Sequence, residues 1–154
     1  MPFRYKLQKI LDVRIREKEL QETVVSRARQ KLARAEKRVE ENKQEIVQVT
    51  TAQKTADYSL MEYYDKYLHH LWEKAEQLEQ ARKEAEDELK AEIQKLIECE
   101  QKVKVLEKHK EKQKEIYIEE EKKAELKMFS ELGVQRHFIK TRENSENIES
   151  EEDE

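Results

Sequence analysis

The sequence is almost without turn-forming residues: Gly133 is its one glycine and Pro2 its one proline in 154 residues. A sheet protein needs more turns than these allow and a phosphate-cradling loop needs more glycine, so most globular folds and any nucleotide-binding loop are excluded. Cys99 is the single cysteine, which rules out an internal disulfide or a CxxC site and suits a reducing compartment. Aromatic residues make up 6%, and no apolar run approaches the roughly 18 residues of a membrane span. The opening MPFRYKLQKI lacks an apolar stretch of signal-peptide length, so a soluble cytoplasmic protein is expected. Nor is there a large charge of one sign: 32 basic against 36 acidic residues give minus four. Seven of those acids fall between Glu143 and Glu154, with no base among them. An unstructured acidic tail over residues 141–154 is therefore expected.

What is present is charge and helix formers, with 44% Asp, Glu, Lys and Arg. From Ala75 to Leu106 an apolar set of Ala75, Leu78, Ala85, Leu89, Leu96, Cys99, Val103 and Leu106 follows heptad spacing. That is a coiled-coil seam, which needs a partner helix. A second seam begins at Phe3, Leu7 and Leu11 and continues through Val25, Ala28, Leu32, Ala35, Val39, Ile46 and Val49. It is polar at Arg14, Lys18, Gln21 and Asn42, the kind of interruption that fixes register. Between the two seams, VTTAQKTADYS (49–59) favours caps and turns, with Asp57 or Ser59 as cap and Glu62 completing a capping box.

The fold expected is all-α: a long antiparallel two-helix coiled-coil hairpin with the second helix overhanging, followed by the tail. Helix 1 spans about 3–52, the turn about 53–58, helix 2 about 59–132, and Gly133 ends it. A reversal near residue 55 sets Leu32 beside Leu78, Lys18 beside Glu92 and Phe3 near Glu107. The pairing slipped by one heptad ranks second. Beyond the hairpin, Ile116, Tyr117, Ala124, Leu126, Met128, Phe129 and Leu132 have no partner.

Catalytic chemistry finds no footing, and no cofactor is expected. His69 and His70 are adjacent on a helix, so they diverge by about 100° and do not share a metal. Lys108, Lys110, Lys112 and Lys114 alternate with Glu107, Glu111 and Glu115, a solvated face that argues against nucleic-acid binding. The aromatic cluster Tyr58, Tyr63, Tyr64, Tyr67 and Trp72 reads equally as a contact patch or as local packing around the bend.

FRYKLQKILDVRIREKELQ (3–21), through Phe3, Arg4, Tyr5, Leu7, Ile10, Leu11 and Asp12, resembles the opening of the flagellar type III export family FliJ. YYDKYLHHLWEKAEQLEQ (63–80) is similar to that family's second-helix start, and KHKEKQKEIYIEEEKKAELKMFSELGVQRHF (108–138) to its terminal segment, with Ser130 and Glu131 where an acidic pair is usual. The resemblance implies a non-enzymatic, stalk-like component of the flagellar export apparatus. It would insert into the hexameric export ATPase, promote its assembly and activity, and link it to the cytoplasmic domain of the membrane export gate, with export chaperones as further partners. The implied location is the cytoplasmic side of the basal body, and a monomer is expected in isolation. Ring-contact candidates are then Phe3, Leu7, Leu11, Ile116, Tyr117, Met128, Phe129 and Leu132; gate-contact candidates are Tyr63, Tyr67, Leu68, Trp72 and Ala75. The alternatives are the equivalent stalk of an injectisome and a self-associating structural scaffold.

Overall fold

A computed structural model describes residues 1–152. Helix α1, Gln8–Lys54, is followed by a 3-10 turn, Tyr58–Leu60, and helix α2, Met61–Glu152. No strand occurs among the described residues. The chain divides into two units: the hairpin Lys9–Val105, and a terminal unit in which Met1–Gln8 lies with the part of α2 from Leu106 onward.

Among the described residues the core lies in the hairpin. Leu11, Val25, Ala28, Leu68, Leu71, Ala85 and Val103 are its buried apolar residues, every one at a seam position. Seven small and medium side chains form a line, not a globular core, as expected of a helix pair with narrow apolar stripes. Cys99, expected as a buried hydrophobe, is only half-buried.

The register differs from the one expected. Gln21 Nε2 donates to the Glu92 carbonyl at 3.0 Å and to its carboxylate at 2.6 Å, whereas Lys18 turns to Glu22 on its own helix at 3.9 Å. Asn42 Nδ2 donates to the Leu71 carbonyl at 3.2 Å. Gln21 to Asn42 and Leu71 to Glu92 are both three heptads, so one register holds between these anchors. It places Ala35, not Leu32, opposite Leu78, and Ala35 and Leu78 line one depression. The shift is about half a heptad, and its cause lies in the connection. Helix α1 persists to Lys54, its end tightened by Thr55 N to Ala52 O and Ala56 N to Gln53 O, both at 3.3 Å. The three residues of the 3-10 turn then move the centre of the reversal beyond residue 55. Asp57 does stand at an N-cap position, but of that turn, and its side chain makes no cap hydrogen bond. Glu62 lies in the first turn of α2, where an acid suits the helix dipole.

Two termini also differ. Residues 1–5 are not helical, and α1 starts at Gln8 after a turn closed by Gln8 N to Tyr5 O at 3.2 Å. An extended chain advances about 3.3 Å per residue against about 1.5 Å in a helix. Phe3 accordingly reaches Tyr117, with ring centroids 5.5 Å apart, and not Glu107. At the other end α2 continues past Gly133, which lacks the positive φ of a helix-terminating glycine. Of the segment expected as a tail, residues 141–148 are all exposed; Asp153 and Glu154 lie outside the described residues.

Candidate docking surfaces

In the terminal unit the first seven residues are clasped to α2. The Tyr5 hydroxyl sits 3.4 Å from the Leu106 carbonyl oxygen and 2.7 Å from His109 Nδ1. Lys110 donates to Gln8 Oε1 at 2.8 Å, and the Met1 amino group stands 3.8 Å from Glu121. Tyr117 thus has a partner in Phe3, and it also donates to Glu121 at 2.6 Å. That bond holds the phenol pKa above its ordinary value. From Glu121 to Ile148 every residue is exposed.

The exposed apolar groups there are large and unevenly spaced in sequence but well spread in space. Met128, Phe129, Leu132 and Ile139 recur at helical spacing and share one side, at 65, 69, 46 and 57% exposure. Leu126, Val134 and Phe138, also exposed, fall on other sides at about 100° per residue. Apolar contact is therefore offered around most of the helix circumference, the pattern of a helix that is enclosed when in use. Of the ring-contact candidates, Ile116 is exposed like these, Phe3, Leu7 and Tyr117 are half-buried, and Leu11 is core within the hairpin.

The gate-contact candidates, all in the hairpin, do not share a surface. Leu68 is 5% exposed and belongs to the seam, and Ala75 is half-buried beside it. Tyr63 and Tyr67 lie on one flank of that seam and Trp72 on the other, since nine residues separate Tyr63 from Trp72 and turn it by about 180°. Tyr67 is tied to α1 by donating to Glu45, which raises its pKa. Tyr63 and Trp72 are exposed, and Trp72 packs edge-on to His69 at 5.8 Å.

Polar residues along the hairpin are each resolved differently. Arg82 grips Glu79 at 2.7 Å and Glu86 at 3.0 Å along its own helix, and these bonds pull both carboxyl pKa values down. Glu92 is lowered chiefly by the bond from Gln21. Asn42 is 3% exposed and its Oδ1 has no hydrogen-bond partner, which costs about 1–3 kcal/mol. A depression of about 570 Å³ is an open furrow past Val39, Asn42 and Ala75 with charged rims. It offers no enclosed small-molecule site. Among the described residues no group of His, Cys, Asp and Glu forms a metal site, and no helix is long and apolar enough to cross a membrane.

One exposed apolar row escaped the sequence reading. Ile10, Val13, Leu20 and Val24 lie on the outer side of α1. Its signal was a second three-and-four spacing, offset by one place from the seam.

A family model described as "Flagellar FliJ protein" matches residues 3–142. No curated protein and no solved structure matches the chain. With almost its whole length matched, and with the long helical hairpin expected from that resemblance, the chain belongs to the FliJ family, components of the flagellar protein export apparatus.

Proposed function

We propose that this protein is the stalk of the export ATPase: its terminal unit enters the central hole of the ATPase hexamer, promotes assembly and hydrolysis, and leaves the chemistry to the ring. The observation that carries this is the apolar exposure around the circumference of residues 126–139. A one-sided groove would use one stripe; a surrounding ring uses all sides. Contacts of this kind are shallow, and the interleaved Lys and Glu residues add water-screened ones, so the helix is held without being fixed in one orientation. The ring contact proposed is Ile116, Met128, Phe129 and Leu132, with Phe3, Leu7 and Tyr117 at its base. Leu11 supports the reading only through the hairpin it stabilises. Linkage to the export gate is proposed through Trp72 or through Tyr63 and Tyr67, one flank at a time.

Truncation after Lys114 should leave helicity and cooperative unfolding of the hairpin intact while hexamer formation and stimulated ATP hydrolysis are lost. Equal stimulation by the truncated chain would sink the proposal. The same exposure would suit a self-associating scaffold, and mass in solution separates the two: a monomer fits the stalk, a stable oligomer the scaffold.

A further inference from the structure

The row on the outer side of α1 lies outside the surfaces proposed for the ring and gate, and its role is independent of theirs. Ile10, Val13, Leu20 and Val24 are 47, 53, 68 and 38% exposed. With Glu17 between Val13 and Leu20 they complete two heptads of alternating three and four steps, a seam with no helix opposite it. The hairpin's own cross-links fix what borders it. Lys31 bonds Glu88 across the helices at 2.6 Å. In the register of Gln21–Glu92 and Asn42–Leu71, and on the flank of the Tyr67–Glu45 bond, Val24 stands level with Glu88, Glu17 with Lys95 and Ile10 with Lys102. On its other edge, at helical spacing, the row is bordered by Lys9 and Arg16.

The charge left over at the edges of the row leans basic: Glu88 is held by Lys31, and Asp12 and Glu19 lie further round α1 than Lys9 and Arg16. Glu17 is already bonded to Arg14 at 2.9 Å, and Lys95 leans on Glu92 at 3.3 Å. Among the described residues Lys9, Arg16 and Lys102 carry no ion pair. Glu98, a further acid on α2, sits one position further round that helix than Lys95 and Lys102.

We propose that this row docks an amphipathic helix of another protein, one whose apolar heptad stripe is flanked by Asp and Glu, as a third helix on the hairpin. Heptad spacing selects a helix, because knobs need holes at that spacing whereas a lipid surface is indifferent to it. Glu17 in the middle of the row would be repelled by anionic lipid. A second copy of this chain is disfavoured by the same charges: a two-fold pairing brings two Glu17 carboxylates together and sets basic edge against basic edge. The unpaired cations fit acidic edges on the partner helix.

The test uses the full chain and a labelled synthetic 21-residue helix with Ile and Leu at seam positions and Glu at the flanking ones. Its counterpart has Lys in place of Glu. Fluorescence anisotropy should show the acidic peptide binding at least about tenfold tighter than the basic one, by the steering of opposite charge. Leu20→Lys should weaken it by about tenfold or more with helicity and thermal midpoint unchanged, as for loss of a central apolar anchor. Lys9→Glu combined with Arg16→Glu should reverse the preference between peptides. Equal binding of both peptides, or a Leu20→Lys chain that binds as well as its parent, would overturn the proposal. So would binding to phosphatidylserine vesicles, but to neither peptide, that Leu20→Lys abolishes, or a dimer in sedimentation that Leu20→Lys dissolves.

Discussion

The hairpin and the terminal unit are built from the same few residue types, yet they use apolar side chains in opposite ways. In the hairpin the core residues are small and aligned, and Leu71 is 1% exposed. In the terminal unit they are larger and turned outward, with Phe129 and Phe138 at 69 and 68% exposure. A narrow seam gives each hairpin residue a facing partner, so burial stabilises the fold. The wide scatter after Glu121 gives none, so the same chemistry is left for another molecule.

The sharpest way to break this contrast is to cut a large apolar side chain from each side. Leu71→Ala should lower the stability of the hairpin by about 2–5 kcal/mol, read by urea unfolding followed by circular dichroism. Phe129→Ser removes a bigger side chain and should shift that stability by less than about 0.5 kcal/mol, as exposed substitutions do, while stimulation of the ATPase falls. A stability loss for Phe129→Ser comparable to that of Leu71→Ala would show that residues after Glu121 are packed in solution.

The next test concerns why the hairpin keeps one register. Asn42 satisfies its amide on Leu71 but leaves Oδ1 without a partner. Asn42→Leu should therefore stabilise the hairpin, by about 1 kcal/mol, and loosen its specificity. In a Cys99→Ser background, Ala35→Cys with Leu78→Cys should oxidise readily and Leu32→Cys with Leu78→Cys slowly. Adding Asn42→Leu should bring the second pair closer to the first. If the slow pair stays slow, the register is fixed elsewhere, with Gln21 and Glu92 the next candidates.

The hairpin was legible in the sequence because the heptad repeats of both helices are long and free of glycine and proline. Its register was not. Thr55, Asp57 and Ser59 advertise a reversal, but nothing in Tyr58, Ser59 and Leu60 marks them as a 3-10 turn ahead of α2, and three residues suffice to move the pairing by half a heptad. The start of α1 was hidden for a related reason. Phe3, Leu7 and Leu11 fit a helical stripe, and only the ring of Tyr117 and the clasp at His109 make an extended path competitive. The overhanging apolar residues, and at about 100° per residue their spread around the helix, could be read from sequence; that they and the outer row on α1 stay unpacked needed each residue's exposure.

Acid should affect the hairpin through its own ion pairs. Glu79, Glu86 and Glu92 all have folded pKa values below the ordinary 4.5. Their contribution is complete above the unfolded value and is lost as pH falls through the folded ones. A plateau of stability above about pH 5 and a decline below about pH 4.5 should appear in unfolding midpoints. Arg82→Met should flatten that decline, since Glu79 and Glu86 then lose the cation that lowers them. An unchanged slope would mean these bonds are exchanged for water at no cost.

The smallest effect belongs to the clasp in the terminal unit. Tyr5→Phe keeps the ring over His109, 5.6 Å between centroids, and removes only the hydroxyl shared by Leu106 and His109. One such bond is worth about 1 kcal/mol net, or about a fivefold change in an opening equilibrium. Global stability should hardly move, because the hairpin core lies in the other unit. Local opening should respond, and trypsin reads it at Arg4 and Lys6, which are exposed but lie in the clasped segment. Cleavage there should speed up about fivefold in Tyr5→Phe and further in Tyr5→Ala, where the ring contact goes as well, while cleavage within the hairpin keeps its rate. Equal cleavage in all three proteins would mean the first residues are already open in solution, and Phe3 would then be available to the ring from the outset.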